Sequence, residues 1–116
     1  MTYNPSEALE RIDNDTALLA MLIGVFLKEC PGYCDRLQKA SQAQNVGLLG
    51  DVAHNIKGAS SAIGLESART LAAELEALCR RTDDPAPASY QRLSDALIEE
   101  LKGSETPLMA WATQQR

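Results

Sequence analysis

The sequence predicts an all-α protein, an antiparallel up-down four-helix bundle with short flanking helices at the N- and C-termini. Alanine and leucine dominate and β-branched residues are few, a composition that favours helices throughout the chain. Apolar residues recur three or four positions apart, as they do on the buried face of an amphipathic helix. Short turns separate four long segments of this kind, which is the pattern of an antiparallel bundle.

Length and charge narrow the possible functions. At 116 residues the chain has the size of a single domain, residues 1–116, with one modest core. Its net charge of −5 argues against a nucleic-acid partner, because nucleic-acid-binding domains are usually basic. The apolar run at residues 17–27 is too short to span a membrane and lacks a preceding basic region. We therefore interpret it as a core helix and expect no membrane contact.

The three cysteines predict neither a disulfide framework nor a metal site. Cys30, Cys34 and Cys79 are odd in number and form no C-x-x-C pair, and the chain has one histidine. Free thiols behave as small apolar groups and suit a reducing cytoplasm. We therefore expect a cytoplasmic protein that binds no metal and no cofactor of its own.

Two helices are predicted before residue 45. Ser6 is expected to cap a short first helix, and Asn14 or Asp15 to cap a long second one. Proline interrupts a helix or starts a new one, and for Pro31 we predict one kinked helix that runs to about Gln44. The two apolar rows of this helix are Leu18, Leu22 and Phe26, and Leu19, Ile23 and Leu27.

The C-terminal half is predicted to hold two more long helices. Ser67 begins the first, which runs to about Arg81, and its polar residues, Arg80 among them, are interpreted as solvated surface. The proline- and aspartate-rich stretch at 82–89 is predicted to be a loop. The next helix is expected to end near Gly103. Thr106 and Pro107 are then predicted to start a short last helix, which either packs on the bundle or frays.

The remaining long helix is predicted from about Val46 to Ala62, with Gly64 as a left-handed cap. The stretch AHNIKGASSAIG at 53–64 forms its second half and the cap. Each residue turns a helix by about 100°, which gathers the mainly apolar side chains on one face. His54, the only histidine, lies about 160° from the centre of that face. The residues predicted to face the core are Leu49, Val52, Ala53, Ile56, Ala59, Ser60 and Ile63.

The opposite side of this helix is predicted to leave His54 accessible to a partner. Gly50, Lys57, Gly58 and Ser61 share it with His54, so the imidazole is expected to point at water with an ammonium group one turn away. Each glycine inside a helix costs about 0.5–1 kcal/mol relative to alanine. A lone histidine is most often an ordinary surface or core residue, but this spacing favours a functional one.

AHNIKGASSAIG resembles the signature of histidine-containing phosphotransfer (HPt) domains, A-H-x-x-K-G-[SA]-[SA]-x-x-[IVL]-G, and LESARTLAAELEAL resembles the family's next helix. The resemblance implies that His54 is phosphorylated, that Lys57 stabilises the phosphoryl oxygens and that Gly58 leaves room for the partner. It puts Glu76 where family members often have a polar residue beside the site. The implied partners are the receiver domain of a response regulator, which holds the acceptor aspartate and Mg²⁺, and a hybrid sensor histidine kinase.

The residues themselves are compatible with this role. Imidazole has an unperturbed pKa of about 6.5, so that the neutral ring can attack phosphorus near neutral pH. The chain has no glycine-rich nucleotide fingerprint, so a partner has to supply the remaining machinery. On this interpretation a monomer transfers the group, and Gly58 and Gly50 permit close docking. The possible docking surface around the ring is Asp51, Asn55, Ser61 and Glu76.

Two other functions remain open from the sequence. The chain could be a pure interaction bundle in which His54 is a spectator. It could also be a hydrolase that uses His54 as a general base, although the sequence offers no companion nucleophile and no metal ligands. The shared exposed face of His54, Lys57 and Gly58 favours the phosphotransfer carrier over both.

Overall fold

The structure, a computed structural model, describes residues 2–81 and 85–115 and confirms the all-α fold. Five α-helices follow one another within these described residues. They are α1 (Ser6–Arg11), α2 (Thr16–Gln42), α3 (Val46–Ala62), α4 (Glu66–Arg81) and α5 (Pro87–Gln114).

The four long helices form a closed bundle. Each packs against the next one along the chain, and α2 also packs against α5, which closes the ring. Contacts across the α3–α4 seam join Asp51 to Arg80 and Lys57 to Glu76, so the residue numbers rise on one helix as they fall on the other. The two helices are therefore antiparallel. The molecule measures 46 × 22 × 19 Å, as expected for helices aligned along one axis.

Helix α3 has the predicted bounds because local signals define both of its ends. The side-chain oxygen of Asn45 accepts a hydrogen bond from the Leu48 N–H at 3.1 Å, which satisfies one free donor of the first turn. Gly64 follows the helix with a φ of +71°, a conformation that costs little for a residue without a side chain. The predicted core face is also confirmed, with Ala59 half-buried and the others buried: Leu49, Val52, Ala53, Ile56, Ser60 and Ile63.

Helix α2 contains Pro31 and is one helix, as the single-helix interpretation predicted, although it ends at Gln42. The side chain of Asp15 caps it by accepting a hydrogen bond from the Leu18 N–H at 3.0 Å. Ser6, in contrast, does not cap α1. It is the first residue of that helix, which follows Pro5 at the N-cap position without a side-chain cap, and its N–H donates to the side-chain oxygen of Asn4 at 3.0 Å.

The predicted break near Gly103 and the separate last helix are wrong, because α5 continues through Pro107 to Gln114. A proline costs a hydrogen bond to the preceding turn, but burial on one continuous face offsets that cost here. The face repeats at intervals of four, three and four residues along α5. Its buried members are Leu97, Leu101, Ser104 and Leu108.

The ends of α5 also differ from the sequence prediction. The helix begins at Pro87, inside the predicted loop, because proline is well suited to the first helical position. Residues 82–84 of that loop lie outside the described residues. At the other end Trp111 meets the Tyr3 ring edge-on, with 6.0 Å between the ring centres. The C-terminal segment therefore packs on the bundle.

Helix α2 contains an 18-residue stretch with a mean hydropathy of 1.4, so by length and composition alone it could cross a membrane. The sequence prediction considered only uninterrupted apolar residues and missed this stretch. Bundle helices meet the same criterion when one face supplies the core. Helix α2 supplies core residues through Leu19, Ile23 and Phe26, all of which are buried.

Candidate functional site

His54 lies in the middle of α3 and is exposed, as predicted, with 62% of its side chain accessible. Its Nδ1 atom lies 2.7 Å from Oε2 of Glu76 on α4. Among the described residues no hydrogen-bonding group contacts the other ring nitrogen, Nε2. The ring is therefore held from one side and open on the other.

Glu76 links the histidine to the lysine. Its second carboxylate oxygen, Oε1, accepts a hydrogen bond from Nζ of Lys57 at 2.6 Å. Only 15% of the Glu76 side chain is accessible, compared with 35% for Lys57. The hydrogen bond from Lys57, followed by the one from His54, lowers the pKa of Glu76, although partial burial opposes the shift. The carboxylate is therefore ionised at neutral pH.

The ionised carboxylate determines where the imidazole carries its proton. A carboxylate only accepts hydrogen bonds, so Nδ1 of His54 has to be the donor in its contact with Glu76. In the neutral ring the remaining nitrogen, Nε2, then has the free lone pair. The ring nitrogen with the free lone pair is thus the one that faces away from α4.

The surface beside the ring is open at Gly58. Gly58 is exposed, and a Cβ atom placed there would meet no atom within 4 Å apart from its chain neighbours and the nearby backbone of its own helix. Asn55 is exposed and Ser61 is half-buried, so both contribute to the surface around this gap. Of the predicted docking residues, Glu76 is the exception. It is mostly covered and belongs to the base of the site, because its carboxylate is bound by His54 and Lys57.

Gly50 does not provide the access predicted for it. It is buried against α4, where an added Cβ would lie 3.2 Å from Cβ of Cys79 and 3.3 Å from Cζ of Arg80. The missing side chain thus permits close approach within the molecule, between α3 and α4. The error arose because a helical projection of α3 alone does not show the width of the neighbouring helix.

Arg80 and Asp51 form an ion pair beside this close approach. Nη2 of Arg80 lies 2.7 Å from Oδ1 of Asp51, one turn of α3 before His54. Arg80 had been interpreted from the sequence as solvated surface. Its position four residues after Glu76 on α4 was the available signal, because residues four apart share one face of a helix.

The rest of the described chain offers no comparable cluster. Within residues 2–81 and 85–115, no three histidine, cysteine, aspartate or glutamate side chains are grouped as metal ligands would be. Cys30, Cys34 and Cys79 are free thiols. Burial raises the pKa of the Cys30 thiol to about 12, so that thiol is not a ready nucleophile at neutral pH.

Fold and site together define a class of protein: a helical bundle that exposes one imidazole midway along a helix, beside a lysine and an open glycine. The sequence model described as the Hpt domain matches residues 21–104, and the chain belongs to the Hpt domain family. Membership implies histidine phosphotransfer in a phosphorelay, in which such domains are typically carriers without kinase activity.

The comparison with solved structures agrees on the fold. The chain is similar to the HPT domain from the Hpt sensor hybrid histidine kinase from Shewanella, with a TM-score of 0.85 and 20% sequence identity. The similarity covers 96% of this chain and 93% of the other. No curated protein sequence matches the chain.

Proposed function

We propose that His54 is the residue that carries the phosphoryl group, accepting it from and returning it to aspartates of receiver domains. The observation that supports this most is the 2.7 Å contact between Nδ1 and Glu76, because in the neutral ring it leaves the lone pair on the accessible nitrogen, Nε2.

The transfer can be written with these atoms. Nε2 of His54 attacks the phosphorus of an aspartyl phosphate, the new P–N bond forms, and the aspartate carboxylate leaves with the electrons of the broken P–O bond. Nδ1 keeps its hydrogen, so the ring gains a positive charge in this step. Glu76 lies opposite that charge and stabilises it, as the buried aspartate does for histidine in a catalytic triad. In the return step the ring leaves as neutral imidazole.

Lys57 and Gly58 have different tasks in this proposal. Lys57 lies on the same side of the helix and offers its ammonium group to the phosphoryl oxygens. Gly58 leaves the space through which the backbone of the partner brings its aspartate in line with Nε2. Asp51, Asn55 and Ser61 would then contribute to the contact surface around the ring.

The proposed partners supply the groups that this chain lacks. The response-regulator receiver domain supplies the aspartate and the bound Mg²⁺, and a hybrid sensor histidine kinase is the second partner. The chain, as a cytoplasmic single domain of residues 1–116, acts as a monomer and binds no cofactor, nucleic acid or membrane of its own. In this proposal the chain contributes the exposed imidazole, and the receiver domain contributes the other groups that the transfer needs.

The proposal is tested by labelling with a panel of receiver domains that carry radioactive aspartyl phosphate. We expect at least one receiver to transfer its label to this chain, and the bound phosphate to be labile in acid and stable in base, as a phosphoramidate is. If the wild-type chain takes no label from any receiver but still binds one, the phosphotransfer role is wrong and the chain is an interaction bundle.

Removal of Glu76 is expected to slow the transfer without abolishing it. In a Glu76→Ala variant Nδ1 of His54 loses its acceptor, so the neutral ring divides between its two tautomers and the charged product loses its counter-charge. We expect the transfer rate to fall about tenfold, the lower end of the loss seen when the hydrogen-bond partner of a metal-bound histidine is removed. The ¹⁵N resonances of the ring should show the tautomer change, which a purely structural role of Glu76 would not produce.

A further inference from the structure

Two thiols line one cavity on the seam between α2 and α5. The cavity has a volume of about 380 Å³, and Leu27, Pro31 and Leu101 form its apolar part. Cys30 and Cys34 both line it, and both are half-buried free thiols. They are four residues apart on α2, so their Cβ atoms are about 5–6 Å apart on one face of the helix. The α2–α5 seam therefore holds a pair of thiols that the phosphotransfer site does not use.

The spacing of the two thiols suits a bridging ion better than a disulfide. A disulfide needs Cβ atoms about 3.5–4.5 Å apart, which is closer than the helical backbone brings Cys30 and Cys34. An ion between the sulfur atoms adds two metal–sulfur bonds, each about 2.3 Å long in zinc–cysteine sites, and so spans the wider gap. The pair can therefore bind such an ion without a change in the backbone of α2.

The number of ligands selects the kind of ion. Structural zinc sites need four ligands, whereas the described part of the chain has no group of three histidine, cysteine, aspartate or glutamate side chains that could hold a metal. Monovalent copper is a soft ion that selects sulfur ligands, and two thiolates are sufficient for it. The sequence-based expectation of no metal rested on the absence of C-x-x-C pairs. Residues 30–34 have C-x-x-x-C spacing instead, which on a helix brings two thiols together.

The cavity also offers a counter-charge. Two thiolates and one Cu⁺ ion together have a charge of −1, which is costly to place in a mostly apolar cavity. Burial raises the pKa of Cys34, and the ammonium group of Lys102, which lines the same cavity on α5, opposes that shift. Burial, followed by Cys34 and Glu105, raises the pKa of Cys30 to about 12. Both thiols are therefore protonated until a soft ion displaces their protons.

We propose that Cys30 and Cys34 form a binding site for one monovalent copper ion. Cu⁺ forms one bond to each sulfur, the two S–H protons pass to water and no electron is transferred, so the bound species is a dithiolate of charge −1 beside Lys102. In the closed ring of helices the α2–α5 seam lies opposite the α3–α4 seam that holds His54. The site is thus separate from the phosphoryl chemistry, and the inference goes beyond the proposed function without depending on it.

The test measures the affinity of the reduced protein for Cu⁺ without oxygen, by competition with the chelator bicinchoninate. We expect the wild type to bind one ion per chain. Cys30→Ala and Cys34→Ala should each lower the affinity at least about 100-fold, since loss of even an outer partner of a metal ligand costs about 10–100-fold. Cys79→Ala is the matched control, because Cys79 is also a free thiol but lies on α4. Circular dichroism verifies that all three variants remain helical.

A second measurement needs no variant. The wild type is alkylated with N-ethylmaleimide with and without one equivalent of Cu⁺, and the labelled cysteines are identified by peptide mass spectrometry. We expect Cu⁺ to protect Cys30 and Cys34 and to leave the labelling of Cys79 unchanged. Three results would overturn the inference: equal affinities of Cys34→Ala and the wild type, protection of a pair that includes Cys79, or tighter binding of Zn²⁺ than of Cu⁺.

Discussion

A His54→Gln variant is expected to accept no phosphoryl group from a receiver that labels the wild type. Glutamine has nearly the length of histidine and can still donate to Glu76, but its amide is not a nucleophile. His54 is the only histidine in the chain, so no second imidazole can replace it. We expect at least about a thousandfold less acid-labile label, the scale of loss seen when a nucleophile is removed.

The variant should remain folded, which makes the result interpretable. His54 is 62% accessible, and substitutions at exposed positions usually change the free energy of unfolding by about 0.5 kcal/mol or less. Circular dichroism and thermal unfolding serve as the control, and receiver binding should persist. Acid-labile label on His54→Gln would show that a residue other than His54 carries the phosphoryl group.

A Gly58→Gln variant is expected to lose transfer from receivers while it keeps phosphorylation by phosphoramidate. The new side chain would extend into the open space beside the ring, where a partner backbone has to approach. Displacing the two reacting groups by about 1 Å can cost about 100-fold in rate, and we expect a loss of at least that size. Phosphoramidate is small enough to reach Nε2 past the new side chain, so its reaction should change little.

Gly103→Gln is the matched control for this experiment. Gly103 is also an exposed glycine inside a helix, and an added Cβ there would likewise meet only its chain neighbours and the nearby backbone of its own helix, but it lies on α5. Both substitutions should raise the free energy of unfolding, since glycine costs a helix about 0.5–1 kcal/mol. Only Gly58→Gln should block the receiver. Equal rates for the two variants would contradict the role assigned to Gly58.

The sequence predicted α3 well because its signals are local. Asn45 and Gly64 define its ends through contacts within a few residues, and the helical period alone separates the core face from the side that holds His54. The same local reasoning failed for α5. Gly103 and Pro107 are signals of a helix end, but burial of Leu101 and Leu108 along the bundle outweighs them.

The residues of the candidate site also fall into those that one helix predicts and those that depend on the packing of two helices. Exposure of His54 and the open space at Gly58 follow from one helix and could be predicted from it. Arg80 was missed and Gly50 was misplaced because both depend on how closely α4 packs on α3. The polar position at Glu76 was expected from family resemblance, whereas its hydrogen bonds to both partners became visible only in the folded chain.

The amino-acid sequence by itself determined that this protein is helical and that one imidazole points outward from α3, because helical periodicity and end signals act over a few residues. Only the tertiary structure decided which carboxylate holds Nδ1 of His54 and which cations lie near it. Those contacts join α3 to α4 across about 20 to 30 positions of chain. They depend on the register and spacing of two packed helices, which no pattern within either helix specifies.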